Sequence, residues 1–124
     1  MIGIVDTNII VDLIRNHPPA LNWLEHQPTH GIPLVAHMEA VDGAANTEWL
    51  ARTLAVLSRF EIVYLTQPDQ EWAAEQHRRL RLSYGVHFED CRIAAAAQRL
   101  NVPLYTHNLK HMQPLLGALA VAPY

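Results

Sequence analysis

Ile2-Gly3-Ile4-Val5-Asp6-Thr7-Asn8-Ile9-Ile10-Val11-Asp12-Leu13 sets the architecture of this chain. Residues 2–5 show no polar alternation, as expected of a short strand covered on both faces. A polar trio follows, and then Ile9, Ile10, Leu13 and Ile14 recur at helical spacing through about Arg15, with Asn8 as the expected N-cap. A buried strand feeding directly into a helix is the unit of a parallel α/β sheet. Asp6 then lies at the carboxyl end of a strand, the edge where open α/β sheets bind ligands.

The same alternation runs outward from this stretch. Asn16-His-Pro-Pro19 breaks the first helix, and a second runs to about His26. Ile32 to Val35 reads as the next strand, followed by helices over roughly 37–44 and 46–58. A strand at Glu61 to Leu65 and a helix from Pro68 to about Arg81 come next, with Gly85 as its stop. The Ala-rich stretch Phe88 to Leu100 is helical. Pro103 to Tyr105 is a strand, Lys110 lies in a short helix, and Leu119 to Val121 is the last strand. The expected fold is therefore α/β, a three-layer sandwich with a central, mainly parallel sheet and helices on both faces. With 124 residues and no linker, repeat or low-complexity tract, one domain over residues 1–124 is expected.

Composition narrows the class. Half of the residues are hydrophobic and 17% are charged, which excludes disorder. The net charge of −3 argues against binding nucleic acid through overall charge alone, leaving local clusters to do so. A single cysteine, Cys91, rules out an intrachain disulfide and fits a reducing cytoplasmic setting. No apolar run is long enough to span a membrane. The opening residues, interrupted by Asp6 and Asp12, are expected to be a strand and a helix rather than a signal peptide.

Three acids share one context. Asp6 closes a strand, Glu39 opens a helix in Leu34-Val-Ala-His-Met-Glu39-Ala-Val-Asp-Gly43, and Asp90 heads Asp90-Cys-Arg-Ile-Ala-Ala-Ala-Ala97. A polar strand end, Tyr105-Thr106-His107-Asn108, completes the set. Carboxylates gathered at one sheet edge repel unless a cation compensates them. Oxygen ligands without thiolate select Mg²⁺ or Mn²⁺. Any one of these acids alone is more often a helix cap or a solvated side chain; all of them at strand ends and helix starts point to a site.

Four segments carry a family resemblance. Asp6-Thr7-Asn8-Ile-Ile-Val-Asp-Leu resembles the opening motif of PIN domains, and Met38-Glu39-Ala-Val-Asp-Gly43-Ala44 resembles their second. Asp90-Cys-Arg-Ile-Ala-Ala-Ala-Ala97 is similar to the third, and Pro103-Leu-Tyr-Thr106-His-Asn108-Leu-Lys110-His111-Met to the fourth. The compact length is most similar to VapC-type toxins of toxin–antitoxin pairs. The resemblance implies a Mg²⁺- or Mn²⁺-dependent endoribonuclease acting on structured RNA such as tRNA, a homodimer, and a cognate antitoxin. It implies Asp6 and Asp90 as metal ligands and Glu39 as a further ligand, direct or through water. Asn108 takes the fourth catalytic position. Thr7 and Thr106 are implied as supporting hydroxyls near metal or phosphate. His111 stands where the family commonly has an acid, Arg92 where it has an apolar residue, and Ala36 where it often has Thr.

Other residues carry weaker signals. Lys110 and Arg92 lie close to the motif acids in sequence and are substrate-binding candidates, Arg92 equally facing an antitoxin carboxylate. The run His77-Arg78-Arg79-Leu80-Arg81 is read as a solvated helix end rather than an RNA contact. His107 and His111 lack the pattern of a zinc pair. Glu89 is a substitute ligand, and Cys91 is expected to be a buried inert thiol. Trp23, Trp49 and Trp72 are expected in the core or a dimer interface. The rival to a ribonuclease is a PIN-fold module that binds RNA or protein without cleaving. A phosphohydrolase is a third class, but Asn8 breaks the Asp-x-Asp pair that one large group of these uses.

Overall fold

The computed structural model describes residues 2–27 and 29–124. Strand β1 (Gly3–Val5) is wholly buried, as its unbroken apolar run requires. Helix α1 (Thr7–Ile14) starts two residues earlier than the sequence suggests, and Asp6, not Asn8, is its N-cap. The chain is still extended at Asp6 (φ −83°, ψ 163°), so its carboxylate reaches back to the Thr7 N–H. The Asn8 amide is taken up by tertiary contacts instead. Helix α2 (Pro18–His26) carries Trp23 and Leu24 into the core.

Strand β2 spans His30–Pro33, not Ile32 to Val35, and helix α3 (Leu34–Asp42) starts directly after it. Pro33 (φ −61°, ψ 142°) has no N–H to continue the strand ladder, and its fixed φ suits the entry to a helix. Glu39 is therefore the sixth residue of α3 rather than its opener. Helix α4 (Thr47–Leu57) is capped by the Asn46 side chain. Strand β3 (Glu61–Val63) leads to helix α5 (Gln67–Tyr84), closed at Gly85 in the left-handed conformation (φ 68°). Helix α6 (Phe88–Leu100), strand β4 (Leu104–Tyr105), helix α7 (Leu109–Leu116), a short 3₁₀ turn (Gly117–Leu119) and strand β5 (Ala120–Val121) follow.

The five strands lie in the order β3-β2-β1-β4-β5 and every pairing is parallel, so the sheet is wholly rather than mainly parallel. The chain first steps outward in one direction, β1 to β2 to β3, then crosses back to β4 and on to β5. Right-handed crossovers put α1–α4 on one face and α5–α7 on the other. The helix contacts agree: α1 packs on α3 and α4, and α6 on α5 and α7. The strand order reverses between β1 and β4. Ala94 to Ala97 of α6 are fully buried, and their small side chains let that helix lie close to β1.

Close approach also explains Gly3. A Cβ there would sit 2.5 Å from Tyr105 Cε2 and 2.9 Å from the Pro103 carbonyl. The buried Asp69 is held by Arg99 at 2.8 Å and by a capping box with Thr66. Trp23 is a core residue stacked on His30, and Trp72 packs against the core; Trp49, 37% exposed, is not a core residue and carries Arg52 over its ring. Among the described residues, no helix is long and apolar enough to cross a membrane.

Candidate active site

The point where strand order reverses leaves a crevice at the carboxyl ends of β1 and β4. Asp6 follows β1 and Thr106 follows β4, so both enter it. The Asp6 N–H donates to the Tyr105 carbonyl (3.0 Å), extending the pairing one residue past the strands. Asp6 is only 4% exposed. Its Oδ1 accepts from the Thr7 N–H (2.7 Å), and its Oδ2 accepts from the Thr106 hydroxyl (2.8 Å) and the Asn8 amide (3.1 Å). No cationic side chain pairs with it among the described residues. Burial pushes its pKa above the ordinary aspartate value and the charge of Asp90 adds to this, against the three hydrogen bonds.

Thr106 is the hub. Its hydroxyl donates to Asp6 and accepts from the Asn108 N–H (2.9 Å) and the Asn8 amide (3.3 Å), which uses its full hydrogen-bonding capacity. Asn8 Oδ1 accepts the His107 N–H (3.0 Å), tying α1 to the loop after β4. Read from sequence as a cap, Asn8 is a site residue that, besides Asp6, has partners 98 and 99 positions away; nothing local signals those two.

The other two acids close on Asp6 from either side. Glu39 Oε1 accepts the Thr7 hydroxyl (2.8 Å). Its pKa is raised by desolvation and then by the charges of Asp6, Glu89 and Asp90, while the Thr7 bond opposes the rise. Asp90 Oδ2 accepts the His87 N–H (3.0 Å) and lies 3.3 Å from His111 Nδ1; its Oδ1 lies 3.4 Å from the Asn108 amide. His87, which the sequence reading passed over, is the N-cap of α6. An acid three residues after a helix start is the signal that finds it.

The structure thus joins Glu39, Thr7, Asp6, Thr106, Asn108 and Asp90 in one hydrogen-bonded chain, with Glu89 near enough to act on Glu39 through its charge. It does not bring Arg92 or Lys110 into that chain: both are exposed, and Arg92 lines a cleft between α5 and α6. His107 and His111 diverge, one toward Tyr124 and Asp12, the other toward Asp90. Cys91 is buried, and burial pushes its thiol up to about 11. Beside Glu39, a cleft of about 300 Å³ opens between α1, α3 and α4, walled by Val11, Ile14, Ala40 and Trp49.

Among the described residues, no three His, Cys, Asp or Glu side chains form a ready-made metal cage. The acids are linked through Thr and Asn spacers instead of touching. The donors do fit a hard divalent cation: they are oxygens, and the buried Asp6 carboxylate lacks a countercharge.

The PIN domain family model matches residues 3–111, from β1 through His111. Several solved structures share the fold along nearly the whole chain. A toxin–antitoxin complex from Klebsiella pneumoniae has a chain 32% identical, with 98% of each chain covered and a TM-score of 0.76. VapBC-1 from nontypeable Haemophilus influenzae is 27% identical over 92% of each chain, with a TM-score of 0.74. DNA-bound VapBC from Salmonella typhimurium is 24% identical, covering 93% of this chain and 92% of its own, with a TM-score of 0.77, a likeness of fold. No curated protein sequence matches the chain. With a family model spanning β1 to α7 and the carboxylates at the crevice where that fold reverses its strand order, the chain belongs to the PIN domain family.

Proposed function

We propose that the chain is the toxin of a VapC-type toxin–antitoxin pair, an endoribonuclease that hydrolyses RNA phosphodiesters with Mg²⁺ or Mn²⁺. One observation carries this reading: the buried, uncompensated Asp6 carboxylate at the crevice, with Asp90 close enough for its charge to raise the pKa values of both Asp6 and Glu39. The similarity to chains solved within toxin–antitoxin and VapBC complexes supports the biological setting.

Asp6, Asp90 and Glu39 would hold the cation, Glu39 directly or through water. When bound, a divalent ion supplies charge neutralisation at the phosphate and a more acidic water. Thr7 orients Glu39, and Thr106 with Asn8 orients Asp6. Asn108 presents its side chain beside Asp90 without adding a fourth negative charge. Lys110 and Arg92 would meet RNA phosphates outside this core. A cognate antitoxin has a seat in the apolar cleft beside Glu39, where a bound segment would obstruct the site. A cytoplasmic homodimer belongs to the same proposal.

The test is cleavage of a mixed structured-RNA pool, tRNA included, by antitoxin-free protein with Mg²⁺, with Mn²⁺ and with chelator, beside an Asp6→Asn control. Metal-dependent cuts absent from the control support the reading. The separation of the acids by spacers, together with His111 in place of an acid, favours a second reading: a catalytically weak module that binds RNA or protein. RNA binding by folded wild type without any cleavage would select it.

A further inference from the structure

The carboxylates of the candidate site repel phosphate, so a nuclease of this design needs a second surface to hold RNA. Helix α6 offers one. Phe88 and Arg92 are four residues apart and share a face of the helix, whereas Asp90, two residues from each, points to the opposite side. Phe88 and Arg92 wall a cleft of about 220 Å³ together with Gln70, Ala73, Ala74 and His77 of α5. Phe88 is 55% exposed at the first position of the helix. Among the described residues, no acid lies within ion-pairing distance of Arg92, or of Arg81 one turn beyond His77. A local positive charge therefore stands uncompensated on a chain of net negative charge.

The chemistry of the cleft is specific. Two alanines leave room for a flat ring. An exposed aromatic offers a stacking platform, and Gln70 and His77 supply donors and acceptors at the edge. An unpaired guanidinium is placed to meet a phosphate. Aromatic stacking with flanking cations is how single-stranded nucleic acid is held. The cleft lies on the side of α6 away from Asp90, and a relay of contacts at the start of that helix leads from its edge to the candidate site. His111 contacts Asp90 at 3.3 Å, and the His87 ring meets the His111 ring edge-on at 5.8 Å, one residue before Phe88.

We propose that the α5–α6 cleft is a nucleobase subsite, in which an unpaired base near the scissile phosphate stacks on Phe88 while Arg92 neutralises a neighbouring phosphate. The inference rests on the nuclease reading above and adds a determinant of substrate choice to it. The test is fluorescence anisotropy with a labelled single-stranded oligoribonucleotide of mixed sequence and its abasic counterpart. Chelator is present so that nothing is cut. Phe88→Ala is expected to weaken binding of the base-bearing strand about tenfold and to leave the abasic strand unchanged. Phe88→Trp should retain binding, and Arg92→Ala should weaken both strands. Mn²⁺ affinity by calorimetry should be unaltered in all three variants.

Wild-type affinity in Phe88→Ala, or equal wild-type affinity for both strands, would overturn the subsite. So would a dimer lost on Phe88→Ala with RNA affinity per protomer retained, since that makes the face an interface between copies. Metal-dependent cleavage alongside any of these results would sink the subsite alone. A wild type that neither binds nor cuts RNA would remove the nuclease reading and the subsite together.

Discussion

Thr106→Val removes one hydroxyl and almost no volume, and it strikes the hub of the site. The lost oxygen donates to a carboxylate 2.8 Å away and accepts the Asn108 N–H at 2.9 Å. Thr106 is fully buried and Asp6 nearly so, which leaves no water to take over. A hydrogen bond to a charged group contributes about 1.5–3 kcal/mol, and a stranded buried N–H adds on the order of 1 kcal/mol. The expected destabilisation is about 3 kcal/mol at neutral pH in chelator, read by urea unfolding. Thr106→Ser keeps the hydroxyl and should lose less than about 1 kcal/mol, the cost of one buried methyl group.

The loss should depend on pH in a defined direction. Asp6 has a raised pKa in the folded chain, so over the window between its unfolded and folded values the native state holds a proton that the unfolded state has released. Metal-free stability therefore falls as pH rises through that window. The Thr106 bond favours the ionised form and limits the fall; without it the folded pKa moves higher and the fall continues further. The gap between wild type and variant opens as pH rises and closes as both forms protonate. A loss below about 1 kcal/mol at neutral pH, or one that is flat with pH, would refute the assignment of Thr106 as the residue that sustains the Asp6 charge.

Arg99→Ala strands the buried Asp69 carboxylate and should cost about 2–3 kcal/mol in urea unfolding, less than a fully buried pair because Arg99 is itself partly exposed. Gly3→Ala drives a methyl into the Pro103 carbonyl and the Tyr105 ring, so a loss of about 1–3 kcal/mol is expected; a melting temperature equal to wild type would contradict the close packing of β1 on β4. Cys91 should resist iodoacetamide in the native chain at mildly alkaline pH and react once urea unfolds it, as mass spectrometry would show. Mn²⁺ binding should release protons and tighten as pH rises, because Asp6 and Glu39 have raised pKa values until a cation arrives; calorimetric heats identical across buffers of different ionisation enthalpy would oppose this.

What the sequence disclosed was local. Asp6 at a strand end and Asp90 in a first helical turn follow from apolar runs that stop abruptly and from an Ala-rich helical stretch. The α3 boundary was missed because Leu34 and Val35 continue the apolar run of Ile32, and because Pro33 starts the helix without any side chain that accepts a cap bond. Asn8 was read as a cap because its long-range partners, Thr106 and the His107 N–H, depend on β1 and β4 being adjacent. That adjacency comes from the return of the chain across the sheet after β3. No periodicity near residue 63 or residue 104 encodes it. The crevice itself is a property of strand order, so the sequence shows the acids but not the reason they meet.

The spacing of the acids has a physical consequence. Three carboxylates in direct contact would keep at least one proton among them at neutral pH, since close like charges cannot all ionise. Here Thr7 stands between Glu39 and Asp6, and Thr106 with Asn108 between Asp6 and Asp90. Thr7 and Thr106 donate hydrogen bonds that favour the charged forms of Glu39 and Asp6, yet no spacer supplies a full positive charge. The acids are thus held near one another, and burial still raises Asp6 and Glu39 above their ordinary pKa values because the hydrogen bonds only partly offset it. An amide at position 108 fits the same logic, because a fourth carboxylate there would add like-charge repulsion beside Asp90. Such an arrangement has more to gain from a divalent cation than from any rearrangement of its own side chains, and metal binding should stabilise the fold while leaving the β1–β4 register intact.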